Sequence, residues 1–247
     1  MYGLVFFIEI VLFYIAVIVF GVGTVYRLWY WLQTPVPLRI SLAPAKTTWK
    51  GVTGKIAAEV LVFISLFRND KQLWILAFIM HVSALIALLG THLFGLIDAG
   101  IDLYTPYSIP WGKTVIYIAA LFAFPLIGAA LLLLIKRLIT KEIKRISMPT
   151  DYVAIGLILA HVSIGTYMSF FTELDLGEVM KWGLGLATFR PYLVMESWPF
   201  VVHCATGFTL FIYFPFSKLF HPLGQITNRW TMTQKETELI AGGRCVR

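Results

Sequence analysis

Long runs of apolar residues alternate with short polar segments along this chain. Five runs are long enough to cross a membrane, roughly residues 3–31, 72–97, 113–139, 151–173 and 198–220, because a spanning helix needs about 20 predominantly apolar residues. The pattern predicts an all-α integral membrane bundle of five transmembrane helices. The first run lacks an early positive charge and a cleavage site, so we expect a retained helix rather than a signal peptide.

Composition supports this prediction and limits the possible cofactors. Of 247 residues, 59% are hydrophobic and only 13% are charged, which excludes an ordinary soluble domain. We therefore expect a multi-pass protein of the cell membrane, with a membrane domain over residues 1–225 and a short cytoplasmic tail over residues 226–247. The two cysteines, Cys204 and Cys245, stand in no motif for covalent haem attachment or for an iron–sulfur cluster.

The net charge of +7 is distributed unevenly between the connections. Lysine and arginine are concentrated between the first and second helices, between the third and fourth, and in the tail, while acidic residues are concentrated in the other two connections. Positively charged connections stay in the cytoplasm. The chain is predicted to have its N-terminus outside and its C-terminus in the cytoplasm. Topology alone explains the basic connections, so we expect no nucleic acid partner.

Four of the five histidines lie in or at the ends of two of the apolar runs. His81 and His92 are eleven residues apart, about 16 Å along one helix face, while His203 and His221 are eighteen apart, about 27 Å. Because helices two and five are antiparallel, His92 and His203 are expected to form an outer pair and His81 and His221 an inner pair. The unequal rises require helix tilt or a bend at Pro215.

A histidine in hydrocarbon needs a partner that compensates for its burial, and an iron porphyrin held by two imidazoles is such a partner. A set of four at whole-turn spacings favours haem iron ligation over ordinary packing. The fifth, His161, is expected at about the depth of His81. Four roles stay open for His161. It could be an alternative ligand paired with His81, donate a hydrogen bond to a haem edge, serve a proton path, or simply form a hydrogen bond within the bundle.

Two segments carry a resemblance to a known family. The run HCATGFTLFIYFPFSKLFH resembles the last helix of the gamma subunit of respiratory nitrate reductase, and HVSALIALLGTHLFGL is similar to its second helix, with one residue more between the histidines. The opening FFIEI also fits. The superfamily includes the membrane subunit of heterodisulfide reductase and the DsrM-type cytochrome associated with sulfite reduction. The tail, with HPLGQITNRW, favours the DsrM-type branch.

The resemblance implies a subunit with two haem b groups that exchanges electrons between a membrane quinone, expected to be menaquinone, and a cytoplasmic iron–sulfur partner of a respiratory complex. It implies His92 with His203 for the outer haem and His81 with His221 for the inner one. It also implies a quinone site with Lys113, whose charge would polarise a quinone oxygen, and with Glu9 as a proton acceptor.

Two alternatives remain for the function. The chain could be the gamma subunit of a nitrate reductase itself, or it could belong to another class, a proton transporter with a histidine relay and no haem. No catalytic residue for a terminal reaction is expected in this chain under any of these interpretations.

Overall fold

The computed structural model describes residues 2–33, 49–93, 112–173, 175–194 and 197–227, and these residues form helices without a strand among them. The helices are α1 (Tyr2–Gln33), α2 (Trp49–Leu61), α3 (Ile64–Asn69), α4 (Lys71–Leu93), α5 (Gly112–Leu121), α6 (Ala123–Ile139), α7 (Lys141–Ile146), α8 (Pro149–Phe171), α9 (Leu176–Ala187) and α10 (Trp198–Tyr213).

Within the described residues, five helical segments are long and apolar enough to cross a membrane. They are α1, α4, the joined α5 and α6 from Thr114 to Ile139, α8, and α10 extended to Phe216. The predicted all-α, five-helix membrane fold is therefore confirmed. Residues 94–97 of the second predicted run and residues 228–247 of the predicted tail lie outside the described residues, and the orientation of the bundle stays a prediction.

The membrane helices pack in a row that differs from their order in the chain. Helix α4 packs against α6, α6 against α8, α8 against α10, and α10 against α1. Among the described residues, α4 and α10 are not a closely packed pair, although His92 of α4 contacts His203 of α10, and His81 contacts His221 beyond the end of α10. The two histidine-bearing helices therefore face each other across a gap that side chains span.

The best-packed part of the bundle joins α1 to α10. Ala16 of α1 is fully buried against Phe200, Cys204 and Phe208 of α10. A small residue at this point lets the two backbones approach, which is how membrane helices associate when the surrounding lipid is as apolar as the side chains. Much of the remaining apolar surface is exposed, as a lipid-facing bundle requires.

The last helix is interrupted where Pro215 interferes with helical hydrogen bonding. Helix α10 ends at Tyr213 and is followed by two 3₁₀ turns, Phe214–Phe216 and Lys218–Phe220, before a helix resumes over residues 221–227. Proline lacks an N–H and its ring clashes with the preceding turn. The predicted disturbance at Pro215 is therefore found, and His221 belongs to a separate short segment.

The start of α4 is fixed by a side-chain cap. Asp70 accepts a hydrogen bond from the backbone N–H of Leu73 at 2.9 Å, and Lys136 of α6 lies 3.4 Å from the same carboxylate. The Leu73 N–H and, secondarily, the lysine hold the pKa of Asp70 below its usual range. This cap anchors the helix that carries His81 and His92 to α6.

Candidate functional site

Two pairs of histidines bridge the gap between α4 on one side and α10 with the short helix that follows it on the other. His92 and His203 place their Nε2 atoms 3.4 Å apart, with nearly parallel rings. His81 and His221 have ring centroids 5.7 Å apart and perpendicular ring planes. The structure thus brings together the same two pairs that antiparallel helices predict, and whether they ligate haem stays a prediction.

Both histidines of the inner pair form a hydrogen bond through Nδ1 to a backbone carbonyl. Nδ1 of His81 lies 2.7 Å from the carbonyl oxygen of Ala77, and Nδ1 of His221 lies 2.9 Å from the carbonyl oxygen of Lys218. A carbonyl only accepts, so each Nδ1 donates its N–H and each neutral ring keeps its lone pair on Nε2. Metal-binding imidazoles have this same arrangement, in which the second nitrogen donates to an oxygen.

His92 is oriented by the residue before it. The Thr91 hydroxyl donates to the carbonyl of Ala87 at 2.6 Å, so towards Nδ1 of His92, 2.9 Å away, its oxygen can only accept. Nδ1 of His92 therefore carries the proton, and its Nε2 lone pair is directed to His203. Nδ1 of His203 is buried without a hydrogen bond among the described residues.

His161 lies with the outer pair. Its ring stacks on that of His203 at 4.0 Å between centroids and lies 6.4 Å from that of His92, and one ligand atom from each of the three falls within 4.8 Å of the others. Its expected depth, level with His81, is therefore corrected. Counting residues from the inner face assumed that the helices start at one level, whereas the register between α8 and α10 sets the depth.

Two glycines set that register by making room for the stacked histidines. A Cβ on Gly165 of α8 would lie 2.9 Å from Cε1 of His203, and a Cβ on Gly207 of α10 would lie 2.9 Å from Cε1 of His161. Each imidazole therefore lies in a notch that the opposite helix leaves open. His161 also donates from Nδ1 to the hydroxyl oxygen of Thr206 at 3.1 Å.

The donor set fits a haem iron. The Nε2 atoms of the outer pair lie 3.4 Å apart, close enough that both would bind one metal after a small shift, since a metal–imidazole bond is about 2.0 Å long. The inner pair has both Nε2 lone pairs available, and perpendicular planes do not prevent shared ligation. The unbonded buried Nδ1 of His203 is the one feature that the outer pair leaves unexplained.

The two residues predicted for a quinone site lie in different parts of the bundle. Glu9 is fully buried in a π-helical turn, Phe7–Val11, that packs against α10, and it accepts a hydrogen bond from the Val194 N–H at 2.9 Å. Lys113 lies at the start of α5, which packs against α4, α6 and α8. Its side chain is outside the described residues. The structure does not bring Glu9 and Lys113 together.

Sequence analysis did not identify the residues that orient and accommodate the histidines. The roles of Thr91 and Thr206 follow only from the three-dimensional structure. The two glycines, by contrast, stand in a sequence motif. Both helices carry the spacing His-x-x-x-Gly, as HVSIG at His161 and HCATG at His203. Positions four apart share one helix face, so two such motifs on neighbouring antiparallel helices indicate a reciprocal fit of ring into notch.

Five membrane helices, two of which face each other through paired histidines, are the architecture of a membrane cytochrome b electron-transfer subunit. The chain belongs to the nitrate reductase gamma subunit family, whose model matches residues 63–235. The family predicted from the two histidine segments is therefore confirmed, while the DsrM-type branch stays a prediction.

Individual relatives agree with this assignment. The chain is 28% identical to the Hdr-like menaquinol oxidoreductase cytochrome b-like subunit of Archaeoglobus fulgidus and 24% identical to its counterpart in Archaeoglobus profundus, in each case over 85% of this chain and 74% of the relative. It is also 30% identical to the nitrate reductase gamma chain of Bacillus subtilis, over 41% of this chain and 51% of that relative.

Proposed function

We propose that this protein is the di-haem b subunit of a respiratory complex, which transfers electrons between a menaquinol and a cytoplasmic iron–sulfur partner. The observation that carries the proposal is the pair of histidine bridges between α4 and the chain's last described segment, His92–His203 and His81–His221. The names of the Archaeoglobus relatives, which specify menaquinol, support the choice of quinol.

In this proposal each histidine pair would hold one haem, whose iron would supply the one-electron chemistry. The protein orients His81, His92 and His221 through Nδ1–H, and their Nε2 is thereby kept free for the metal. Since His81 and His92 are eleven residues apart on one helix face, the two irons would lie at different depths, which suits electron transfer across the membrane.

We further propose that the quinol is oxidised near the outer pair, with Lys113 as the polarising group and Glu9 as a separate proton-accepting group. Lys113 lies at the start of α5, the helix that packs against the π-helical end of α4 that carries His92. A cation there stabilises negative charge that develops on a quinol oxygen. Glu9 lies on the far side of α10 and would take a proton on a different route.

The basic connections indicate the face on which the partner docks. Helix α7 carries three exposed cations, Lys141, Lys144 and Arg145, on the face predicted to be cytoplasmic. A positive surface attracts and orients an acidic protein partner. We propose that the iron–sulfur subunit of the complex docks on this face and exchanges electrons with the inner pair.

A dithionite-reduced minus oxidised absorption spectrum of the purified protein tests the proposal. We expect a b-type α band and two extractable protohaem groups per chain. A colourless protein would refute the cytochrome assignment and would favour the histidine-relay transporter. A single haem would refute the assignment of one of the two pairs.

Single substitutions test which pair holds which haem. His203→Gln should remove the outer component and leave the inner one, while His221→Gln should do the reverse, because each bis-histidine site loses one of its two ligands. Redox titration of the two b components in each variant provides the measurement. Loss of the inner component in His203→Gln would contradict the pairing.

Lys113→Gln tests the quinol site. Removal of the positive charge should slow haem reduction by a menaquinol analogue by about 10²-fold, the effect of losing one preorganised electrostatic group, while both haem spectra stay unchanged. Lys141→Gln, an exposed cation on α7 at the other face, serves as the control for charge alone. Unchanged stopped-flow kinetics in Lys113→Gln would eliminate this residue from the quinol site.

A further inference from the structure

Helix α1 carries an arginine that contacts the interrupted end of α10. The guanidinium of Arg27 donates to the carbonyl oxygens of Pro215 and Ser217, the latter at 3.0 Å. The same guanidinium lies 4.9 Å from the ring centroid of Trp31 and 4.8 Å from that of Phe220. One side chain of α1 therefore contacts both sides of the break that precedes His221.

The two carbonyls that Arg27 binds are those that the break deprives of regular helical partners. Leu219, whose N–H would reach the Pro215 carbonyl in an unbroken helix, donates instead to the hydroxyl of Ser217 at 3.2 Å. The carbonyl of Ser217 receives only a long contact of 3.4 Å from the N–H of Phe220. Away from bulk water an unsatisfied carbonyl is destabilising, so the guanidinium stabilises the interrupted conformation.

The opposite side of the same segment is held by α8. Lys218 lies 2.8 Å from the buried carboxylate of Asp151, which also binds Arg137 at 3.0 Å. The carbonyl of Lys218 is in turn the acceptor for Nδ1 of His221. Arg27 on α1 thus binds the carbonyl just before Lys218, and Asp151 on α8 binds the Lys218 ammonium, so the residue that orients the inner histidine is held through contacts on two sides.

Close packing reinforces this attachment of α1 to the break. A Cβ on Gly23, one turn before Arg27, would lie 2.8 Å from the ring of Pro215, and one on Gly224 would lie 2.9 Å from Trp31. Phe220, next to His221, is fully buried. The segment is therefore packed against α1 at two points. Pro215 fits against Gly23, and the ring of Phe220 lies under the guanidinium of Arg27.

We propose that Arg27 is a positioning residue for the inner site, which holds the 3₁₀ segment so that His221 faces His81. Helix α1 carries no histidine, and by this means it still determines the geometry of a ligand pair. The inference rests on the proposed function only in its statement that His221 ligates the inner haem. The contact between Arg27 and the break stands without it.

The test compares Arg27→Gln and Arg27→Lys with the wild type and with Arg68→Gln, which removes an exposed guanidinium of α3 outside these contacts. The full-length proteins are purified from membranes, and two properties are measured. One is redox titration of the two b components. The other is hydrogen exchange of the backbone over residues 217–224, which requires no haem.

In Arg27→Gln we expect the inner component to be lost or shifted, with the outer component unchanged, and exchange over residues 217–224 to be at least tenfold faster. Arg27→Lys should lie between this variant and wild type, because an ammonium can reach one carbonyl but lacks the planar fork and the stacking surface. Arg68→Gln should match the wild type in both measurements. If Arg27→Gln does not accumulate, the Arg27→Lys variant decides on the same criteria.

Three outcomes would overturn the inference. They are a wild-type inner component in the deciding variant, equal changes in both components, or unchanged exchange over residues 217–224. A wild-type protein with no inner haem would instead refute the proposed function, and the exchange comparison would still decide whether Arg27 holds the break.

Discussion

At the scale of single residues, a hydrogen bond at Nδ1 keeps Nε2 free in three of the four paired histidines. Ala77 and Lys218 supply backbone carbonyls for His81 and His221, whereas His92 has the hydroxyl of Thr91 beside the backbone of Leu88. A backbone acceptor cannot be removed by substitution, but a hydroxyl can. The outer site therefore has an orienting group that mutagenesis can test directly.

Thr91→Val should change the outer haem without abolishing it. Valine keeps the shape of threonine and removes the hydroxyl acceptor for Nδ1–H, which leaves the backbone of Leu88 as its partner, so the imidazole becomes less basic and stabilises oxidised iron less well. We expect the outer midpoint potential to rise by tens of millivolts, given effects of about tenfold or more for such outer-shell groups and about 59 mV per tenfold for one electron.

The matched control for this prediction is Thr209→Val on α10. The hydroxyl of Thr209 donates to the Ala205 carbonyl, as that of Thr91 does to Ala87, and its described hydrogen bond involves no histidine. An equal rise of the outer potential in both variants would show that the hydroxyl of Thr91 does not act through His92. Redox titration of the purified variants provides the measurement.

At the scale of the element, the reciprocal glycines fix how α8 lies against α10. Gly165 receives His203 and Gly207 receives His161, so sliding one helix by a turn would bring both imidazoles against residues that carry side chains. This fixed register places three histidines at one depth. The register between α8 and α10 is therefore determined by the histidines and their glycine notches as well as by general apolar packing.

Gly165→Ala should perturb the outer site selectively. The new methyl would lie 2.9 Å from the imidazole of His203, so the ring or the helix must move, and we expect partial loss of the outer haem with the inner one retained. Gly156→Ala on the same helix is the matched control, because a Cβ there meets nothing within 4 Å and alanine favours the helix by up to about 1 kcal/mol. Identical spectra of the two variants would exclude the notch from a role in the site.

The membrane helices could be located from sequence because hydropathy reports a local requirement. In lipid, the backbone N–H and C=O groups of each span must be hydrogen-bonded within the span. Its length and apolar character can therefore be recognised in one continuous segment of the sequence. The depth of His161 could not be obtained in this way, since tilt and register depend on packing against neighbours. The π-helical turn around Glu9 and the attachment of Arg27 to Pro215 are tertiary features for the same reason.

At the scale of the whole molecule, charged contacts gather at one end of the bundle. Asp70 binds Lys136, and Asp151 binds Arg137 and Lys218, so the start of α4, the end of α6, the start of α8 and the break after α10 share one face. The exposed cations of α7 lie between α6 and α8 on this face. The face is therefore held together by ion pairs and presents the exposed cations of α7 to a partner.

The excess of positive charge on this face predicts the orientation of the molecule, because lysine and arginine keep connections in the cytoplasm. A fluorescent protein fused after Arg247 should fluoresce, whereas alkaline phosphatase at the same position should be inactive, since it matures only outside. Fusions after residue 100, in the connection between α4 and α5, should give the opposite pattern. The reverse result at both positions would place the basic face outside, and with it the His81–His221 pair. The iron–sulfur partner could then not dock on the basic face from the cytoplasm, so this one measurement decides on which side of the membrane the proposed partner binds.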